Sequence, residues 1–346
     1  LTDYKILFSI AEKVGHDHTG NPLYKIDMTT GNEIHEKVLD PITKKTRQKQ
    51  VIDDDIPEII KVFKEYKAGK EITPSSLLFS VNYKDINPNI LVPRYYWREY
   101  EDTLKAYIKN NNACPVTLGE LEEKEIIKVY DGHGSPASVF KGKGDVPYVR
   151  VADIINCEVY KNPTSLVPMY TYKKLKGKNG VNLQCGDILF VRRGSYRIGS
   201  VAIVSPFDED VLLTKEILVF KVIKQDNEYG ITPYYLLYLL NLDVVQQQIH
   251  NKVLIETTLP NIGDRWRELV LPMHCDSATR NMISNEIQEC FATKWILTLK
   301  LECLQNHANN YLDLYRSRLN DIVNKYPECF SAPTIKALID KEINRN

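Results

Sequence analysis

Gly186-Asp187-Ile188-Leu189-Phe190-Val191-Arg192-Arg193-Gly194-Ser195-Tyr196-Arg197-Ile198-Gly199-Ser200-Val201-Ala202-Ile203-Val204 is the stretch on which the reading of this chain turns. Its two apolar runs, Ile188 to Val191 and Ile198 to Val204, predict β-strands. The link between them holds a glycine, a serine, a tyrosine and three arginines, and a second glycine, Gly199, stands at the start of the second run. Strand, basic glycine-bearing turn, strand is the pattern of a hairpin that carries guanidinium groups outward on a rigid base. Guanidinium forks pair with phosphate oxygens and with the O6/N7 edge of guanine. The same residues also describe an ordinary hairpin with a solvated, charged tip, so the surroundings must decide.

The surroundings are basic. Between Val139 and Ser200 stand Lys141, Lys143, Arg150, Lys161, Lys173, Lys174, Lys176, Lys178, Arg192, Arg193 and Arg197, against Asp145, Asp153, Glu158 and Asp187. Eleven cations against four anions leave this window at +7, and because the chain is neutral overall (45 Lys+Arg, 45 Asp+Glu) the remainder is −7. A positive region concentrated inside a neutral protein points to a polyanion at one face. A length of 346 residues accommodates two domains and an accessory helical piece, and a hydrophobic share of 43 % fits a folded chain.

The cysteines at 114, 157, 185, 275, 290, 303 and 329 are odd in number, widely spaced and without a C-x-x-C pair. That usage predicts reduced thiols in a cytoplasmic protein, with neither a disulfide framework nor a zinc ribbon. No run is long enough to span a bilayer, and no secretory signal is present, so no membrane partner is expected. The chain starts at Leu1 in sequence that already reads as structured, as a piece of a longer protein would.

The main body, 113–275, shows short β-like runs at Pro147 to Ala152, Asp187 to Val191, Ser200 to Val204 and Leu213 to Val222, with one helical pattern from Pro233 to His250. Strands that do not alternate with helices exclude a doubly wound sheet and predict an α+β class. Residues 1–70 hold a short element at Tyr4 to Gly15, a polar lysine-rich loop from His16 to Gln50, and a helix opened by Asp53-Asp54-Asp55 and Pro57; they read as mainly helical. Residues 71–112 carry too many aromatics for disorder and read as a connector packed on a neighbour. From Asp276 to Asn324 a heptad seam (Ile283, Ile287, Cys290, Leu297, Leu301, Leu304, Ala308, Tyr311, Tyr315, Ile322), interrupted by Lys294 and Arg318, predicts one long coiled-coil-like helix over 276–326. A helix folded back on its own domain is the alternative. A cap or tail closes the chain at 327–346.

Catalytic signatures are missing: there is no G-x-x-x-x-G-K-[ST], G-x-S-x-G or H-E-x-x-H. His16-Asp17-His18 lacks a matching carboxylate cluster. Asp131-Gly132-His133-Gly134 reads as a flexible glycine turn, and Asp53 to Asp55 as a helix cap. Asn87-Pro88-Asn89-Ile90 falls short of Asn-Pro-Pro-Tyr.

Several elements then occur in a telling order: Val146-Pro147-Tyr148-Val149-Arg150-Val151-Ala152-Asp153-Ile154, the Gly186 to Val204 hairpin, and Thr232-Pro233-Tyr234-Tyr235-Leu236-Leu237-Tyr238-Leu239-Leu240. Gln246-Gln247-Gln248-Ile249, Thr257-Thr258-Leu259-Pro260-Asn261-Ile262 and Leu269-Val270-Leu271-Pro272 follow. Together they resemble the target recognition domain and following helix of type I restriction-modification specificity subunits. The front end, Ala11 to Asp17 with Gly20-Asn21-Pro22-Leu23-Tyr24 and Asp54 to Ile59, looks like the tail of an N6-adenine DNA methyltransferase domain. The resemblance implies the C-terminal part of a modification enzyme, type I-like or type IIG-like. The Asn-Pro-Pro-Tyr motif and the S-adenosylmethionine loop would lie upstream, so this chain holds no catalytic, cofactor or metal residue. S-adenosylmethionine is expected for the parent enzyme only.

The expected DNA contacts are Arg150, Lys173, Lys174, Lys176, Arg192, Arg193, Ser195, Tyr196, Arg197 and Thr258, the three lysines on a loop and the arginines on the hairpin. Expected partners are double-stranded DNA, a methyltransferase domain or subunit, and a second copy or a restriction subunit through the long helix. Two other function classes remain: a structural coiled-coil adaptor, which predicts self-association without salt-sensitive DNA binding, and a metal-dependent nuclease or phosphohydrolase built on the His16/Asp17 region.

Overall fold

The structure, a computed structural model, describes residues 4–75, 78–179, 181–224, 226–254, 260–307 and 309–343; the side chains of Lys178, Asn179 and Ser195 also lie outside the description. The chain divides into two compact units, Leu1–Glu99 and Tyr100–Asn346.

The first unit is built on strands. β1 (Lys5–Ser9) and, later, β4 (Leu78–Asn82) form an antiparallel pair, and β2 (His35–Leu39) pairs with β3 (Thr46–Gln50); α1 (Ile56–Lys67) stands between β3 and β4. The mainly helical reading of 1–70 is therefore corrected: among the described residues it holds one helix, of 12 residues, and the supposed loop 16–50 is a ladder of turns that includes the β2–β3 hairpin. The physical reason is a repeated side-chain device. Asp17, Asp27 and Asp40 each accept a hydrogen bond from the backbone N–H two residues on, at 2.8 Å from Thr19, 2.8 Å from Thr29 and 2.9 Å from Ile42. Such Asx turns reverse the chain without any apolar signal. Aromatic rings pack within the first unit, Tyr96 stacking on Phe8 with centroids 5.3 Å apart and Trp97 against Phe79 at 5.2 Å.

The second unit continues with α2 (Glu99–Asn110), β5 (Ala113–Thr117), α3 (Leu118–Glu123), β6 (Ile127–Asp131), β7 (Val146–Val149), β8 (Ile154–Ile155), β9 (Glu158–Val159) and β10 (Leu166–Val167). α4 (Met169–Asn179), β11 (Ile188–Val191), β12 (Val201–Ile203), β13 (Leu212–Leu213) and β14 (Ile217–Val222) follow. α5 (Pro233–Asn241), α6 (Asp243–Lys252), β15 (Val270–His274), α7 (Ser277–Asn306), α8 (Tyr311–Lys325) and α9 (Pro333–Ile343) complete it. Its centre is an antiparallel sheet in the order β12-β11-β14-β6. Successive side chains of a strand point to opposite faces. Ile188, Phe190, Leu218 and Phe220 enter the core shared with the helices, whereas Leu189, Val191, Ile217 and Val219 enter a second core with Val149 of β7. Burial on both faces is why these strands read as unbroken apolar runs. A second sheet, β10-β7-β13, runs antiparallel at β10 and parallel at β13.

α5 is buried nearly all round, which suits a central helix. Thr232 Oγ1 caps it by accepting from Tyr235 N at 3.1 Å, with Pro233 in the first turn. The single expected helix from 276 to 326 is two helices. Asp276 caps α7, which ends at Asn306, and α8 then packs back on it. The segment Asn306-His307-Ala308-Asn309-Asn310 (Ala308 outside the described residues) explains the break, since asparagine favours turns and caps over helix interiors. The buried face of α7 is Ala292, Trp295, Ile296, Leu299 and Cys303, turned to its own unit; Leu297, Leu301 and Leu304 of the expected seam are exposed. Both interruptions have intrachain partners. Lys294 pairs with Glu158 at 2.5 Å and Arg318 with Glu302 at 2.9 Å.

The expectation of reduced thiols without a disulfide is corrected at one place. Cys114 and Cys275 form a disulfide, with Cα atoms 5.2 Å apart although 161 residues separate them in sequence. β5 and β15 pair antiparallel with Cys114 opposite Met273, which brings Cys275 within reach. Wide spacing along a chain says nothing about such a ladder. Cys157, Cys185, Cys290, Cys303 and Cys329 are free thiols.

Candidate nucleic-acid interface

The hairpin forms as read: β11 pairs antiparallel with β12, Ile188 opposite Ile203 and Phe190 opposite Val201. Its tip is strapped down. Ile262 N donates to Arg192 O and Gly194 N to Pro260 O, each at 3.0 Å. Gly194 sits at φ 111°, a left-handed geometry that a side chain would strain.

The three arginines are consequently unlike one another. Arg192 is held inward, its Nη2 2.8 Å from Asp131 and 3.3 Å from the Lys215 carbonyl, with the side chain 24 % exposed. Arg193 belongs to a backbone bridge with Asn261. Arg197 donates from Nη1 to the Ile154 carbonyl at 3.3 Å and lies 5.5 Å from the Tyr196 ring, which is 88 % exposed. The Nε atoms of Arg193 and Arg197 are buried without a hydrogen-bond partner among the described residues.

Arg150 comes to the same place from β7. Asp153, 4 % exposed, accepts from Arg150 N at 2.8 Å and from its Nε at 3.2 Å, and fixes the stem while the side chain stays 47 % exposed. Arg150, Tyr196 and Arg197 line one cavity of about 430 Å³ together with Ser135, Tyr148, Thr214 and Glu216. The last four escaped the sequence reading. Thr214 and Glu216 left one signal, a polar Thr-Lys-Glu insert in an otherwise apolar run from Val211 to Phe220.

Lys173, Lys174 and Lys176 are on helix α4, not on a loop. Buried Tyr172 seats that helix by donating to Asp210 at 3.2 Å. Lys176 is spent on Tyr172 Oη at 2.8 Å, whereas Lys173 and Lys174 are exposed. A Cβ on Gly134, next to the cavity's Ser135, would lie 3.7 Å from Leu175, so α4 adjoins the cavity's edge. Thr258 lies outside the described residues, and so does the Ser195 side chain.

Asp131-Gly132-His133-Gly134 is not the flexible turn expected. His133 is 1 % exposed, accepts from Leu213 N at Nδ1 (2.9 Å) and meets the Val181 carbonyl at Nε2 (3.1 Å); burial holds its imidazole down at about 4. A Cβ on Gly132 would run into the Thr214 carbonyl.

Other candidate chemistry is occupied. The Asp17 carboxylate takes hydrogen bonds from Thr19 and Asn21, which hold it well below the usual carboxylate range. Asp55 accepts from Glu12 N and Lys13 N, and Asp53 pairs with Lys13 at 3.0 Å. Among the described residues, no three His, Cys, Asp or Glu side chains are grouped to hold a metal ion. No helix among them is long and apolar enough to cross a membrane. A larger cavity of about 540 Å³, bordered by Cys185, Asp187, Tyr234, Gln288, Glu328 and Cys329, has no lysine or arginine in its lining and does not suit a polyanion.

Among solved structures, the chain is similar to the S subunit of a type I restriction-modification system from M. genitalium, at 12 % identity over 66 % of this chain and 51 % of that one, with a TM-score of 0.35. It is also similar to the HsdS subunit from Thermoanaerobacter tengcongensis, at 11 % identity over 72 % and 51 %, with a TM-score of 0.31. The chain thus covers about half the length of each of these structures. No curated protein matches it. The family match is to a part of the chain: residues 115–264, which hold the four-stranded sheet, the hairpin, α4 and the cavity, match the type I restriction modification DNA specificity domain.

Proposed function

We propose that this chain recognises a specific sequence in double-stranded DNA on behalf of a restriction-modification adenine-N6 methyltransferase. The observation that carries the reading is the convergence of Arg150, Tyr196 and Arg197 on one open cavity, inside the segment that matches a DNA specificity domain. Base edges in the major groove distinguish all four pairs, and cations on phosphates set the register. Tyr196 and the cavity face the bases. Lys173 and Lys174 on α4 sit on phosphates, and Arg192 acts as a brace for the hairpin. Arg193 and Arg197, half-buried at the hairpin tip with part of each side chain accessible, take phosphate or base oxygens. Ser195 and Thr258 are further DNA contacts of this reading.

Catalysis belongs to the partner. This chain has neither a glycine-rich cofactor loop nor an Asn-Pro-Pro-Tyr motif, so S-adenosylmethionine is bound by a methyltransferase domain or subunit, which flips the adenine that the recognition domain has selected. The exposed stripe Leu297, Leu301 and Leu304 on α7, at 57, 55 and 44 %, is where that subunit, a restriction subunit or a second copy docks by helix pairing. The adaptor reading accounts for the stripe but leaves the arginine-lined cavity without a role. The cytoplasm, where chromosomal DNA is reached, is the compartment.

The test is selection of bound duplexes from a randomised DNA pool at moderate salt. A defined, asymmetric word is expected. Binding that enriches no word refutes the proposal, and self-association without salt-sensitive DNA binding favours the adaptor.

A further inference from the structure

The cavity contains one group that a surface for a polyanion would not ordinarily carry. Glu216 lines it beside Arg150 and Arg197, yet the carboxylate is paired with neither arginine. Arg150 is engaged with Asp153, and Arg197 with the Ile154 carbonyl. Glu216 is positioned with some care. Its carbonyl accepts from Arg192 N at 3.0 Å, and the Thr214 hydroxyl donates to its Oε2. Thr214 is only 3 % exposed, so this hydroxyl is fixed, and Oε1 has no hydrogen bond among the described residues. A carboxylate facing phosphates is repelled by them. It becomes favourable only where it accepts a hydrogen bond from a base.

We propose that Glu216 is a base-reading residue, selecting a base with an exocyclic amino group at one position of the recognised word. The inference rests on the DNA-recognition reading above. Cytosine N4 and adenine N6 are donors in the major groove, whereas guanine and thymine present O6/N7 and O4 acceptors at the corresponding edge. The free Oε1 accepts from the amine of the first pair and repels the oxygens of the second. The Ser135 hydroxyl, which accepts from Tyr148 Oη at 3.4 Å, keeps its own proton for a ring nitrogen or carbonyl of the same base. Tyr196 packs over that base at the cavity mouth. Nothing about Glu216 was legible from spacing, because the cavity assembles residues from 135 to 216.

The experiment is competition binding of the full chain against duplexes that carry each of the four base pairs at every position of the selected word. Wild type, Glu216→Gln and Tyr196→Ala are compared, with circular dichroism as a check on folding. Wild type should restrict one position to cytosine or adenine, and Glu216→Gln should relax that position about tenfold, the scale of one well-made base contact, leaving the others unchanged. Tyr196→Ala, altered at an 88 % exposed side chain that holds no fold together, should weaken binding most at the same position. An unchanged profile in folded Glu216→Gln overturns the inference and leaves DNA recognition standing. A wild-type word with no such position also overturns it. A wild type that discriminates no duplex overturns the inference and the function together.

Discussion

Exchanging both exposed lysines of α4 should flatten the salt dependence of DNA binding without touching the fold. Lys173 and Lys174 are solvent-facing and have no ion-pair partner among the described residues, so each is available to one phosphate. Each phosphate neutralised contributes about 0.9 to the slope of log K against log salt, so Lys173→Ala/Lys174→Ala should lower the magnitude of the slope by about 1.8. Between 50 and 200 mM salt, a fourfold change, wild type should therefore lose about twelvefold more affinity than the variant. Fluorescence anisotropy with a labelled duplex over that range measures it. Thermal stability should shift by no more than about 0.5 kcal/mol, as expected for surface exchanges. Arg192→Ala is the contrast. Its guanidinium is held by Asp131 at 2.8 Å, so the slope should persist while the fold weakens. An unchanged slope in the lysine variant refutes the placement of α4 on the phosphates, and a slope loss of about 0.9 in Arg192→Ala shows that the Asp131 brace opens to DNA.

Three further outcomes concern stability. Cys114→Ser, or reduction of wild type, should lower unfolding free energy in urea by about 2–5 kcal/mol, because the Cys114–Cys275 bond closes a very long loop; no shift on reduction would remove that clasp from the native state. His133, held down at about 4 against an ordinary 6.5, is neutral in the folded chain; its contribution is whole above pH 6.5 and falls as pH drops to about 4, by roughly 3 kcal/mol in all, so denaturation curves between pH 7 and 4 should lose that dependence in His133→Gln. Phe220→Ala removes a ring fully buried between Phe190 at 5.5 Å and Trp266 at 5.3 Å, and should cost about 3–5 kcal/mol by chemical denaturation; a cost under about 1 kcal/mol contradicts the two-faced core.

What could be read in advance follows from where the information lies. The strands around 188–191, 201–203 and 217–222 were legible because both their faces are buried, so apolar character persists residue after residue. The turns at Asp17, Asp27 and Asp40 were not, since their backbone is organised by polar side chains that a hydrophobic pattern passes over. The heptad over 276–324 is real as a pattern, but three asparagines between 306 and 310 break the helix, and the face of Trp295 and Leu299 outcompetes that of Leu297 and Leu301 for burial. At the candidate site, Arg150, Tyr196 and Arg197 were accessible from composition and order. Thr214 and Glu216 were hidden because their neighbours come from distant segments, and the fixed role of Arg192 depended on Asp131, 61 residues away in sequence.

The claim that the hairpin and its cavity face the bases is tested most directly by photocrosslinking. Duplexes of the selected word, substituted position by position with 5-iodouracil, are irradiated with the full chain and the attached peptides identified by mass spectrometry. Crosslinks within the word should fall on Tyr196 and its neighbours at the hairpin tip. Crosslinks confined to residues 1–99, or to α8 and α9, would contradict the account.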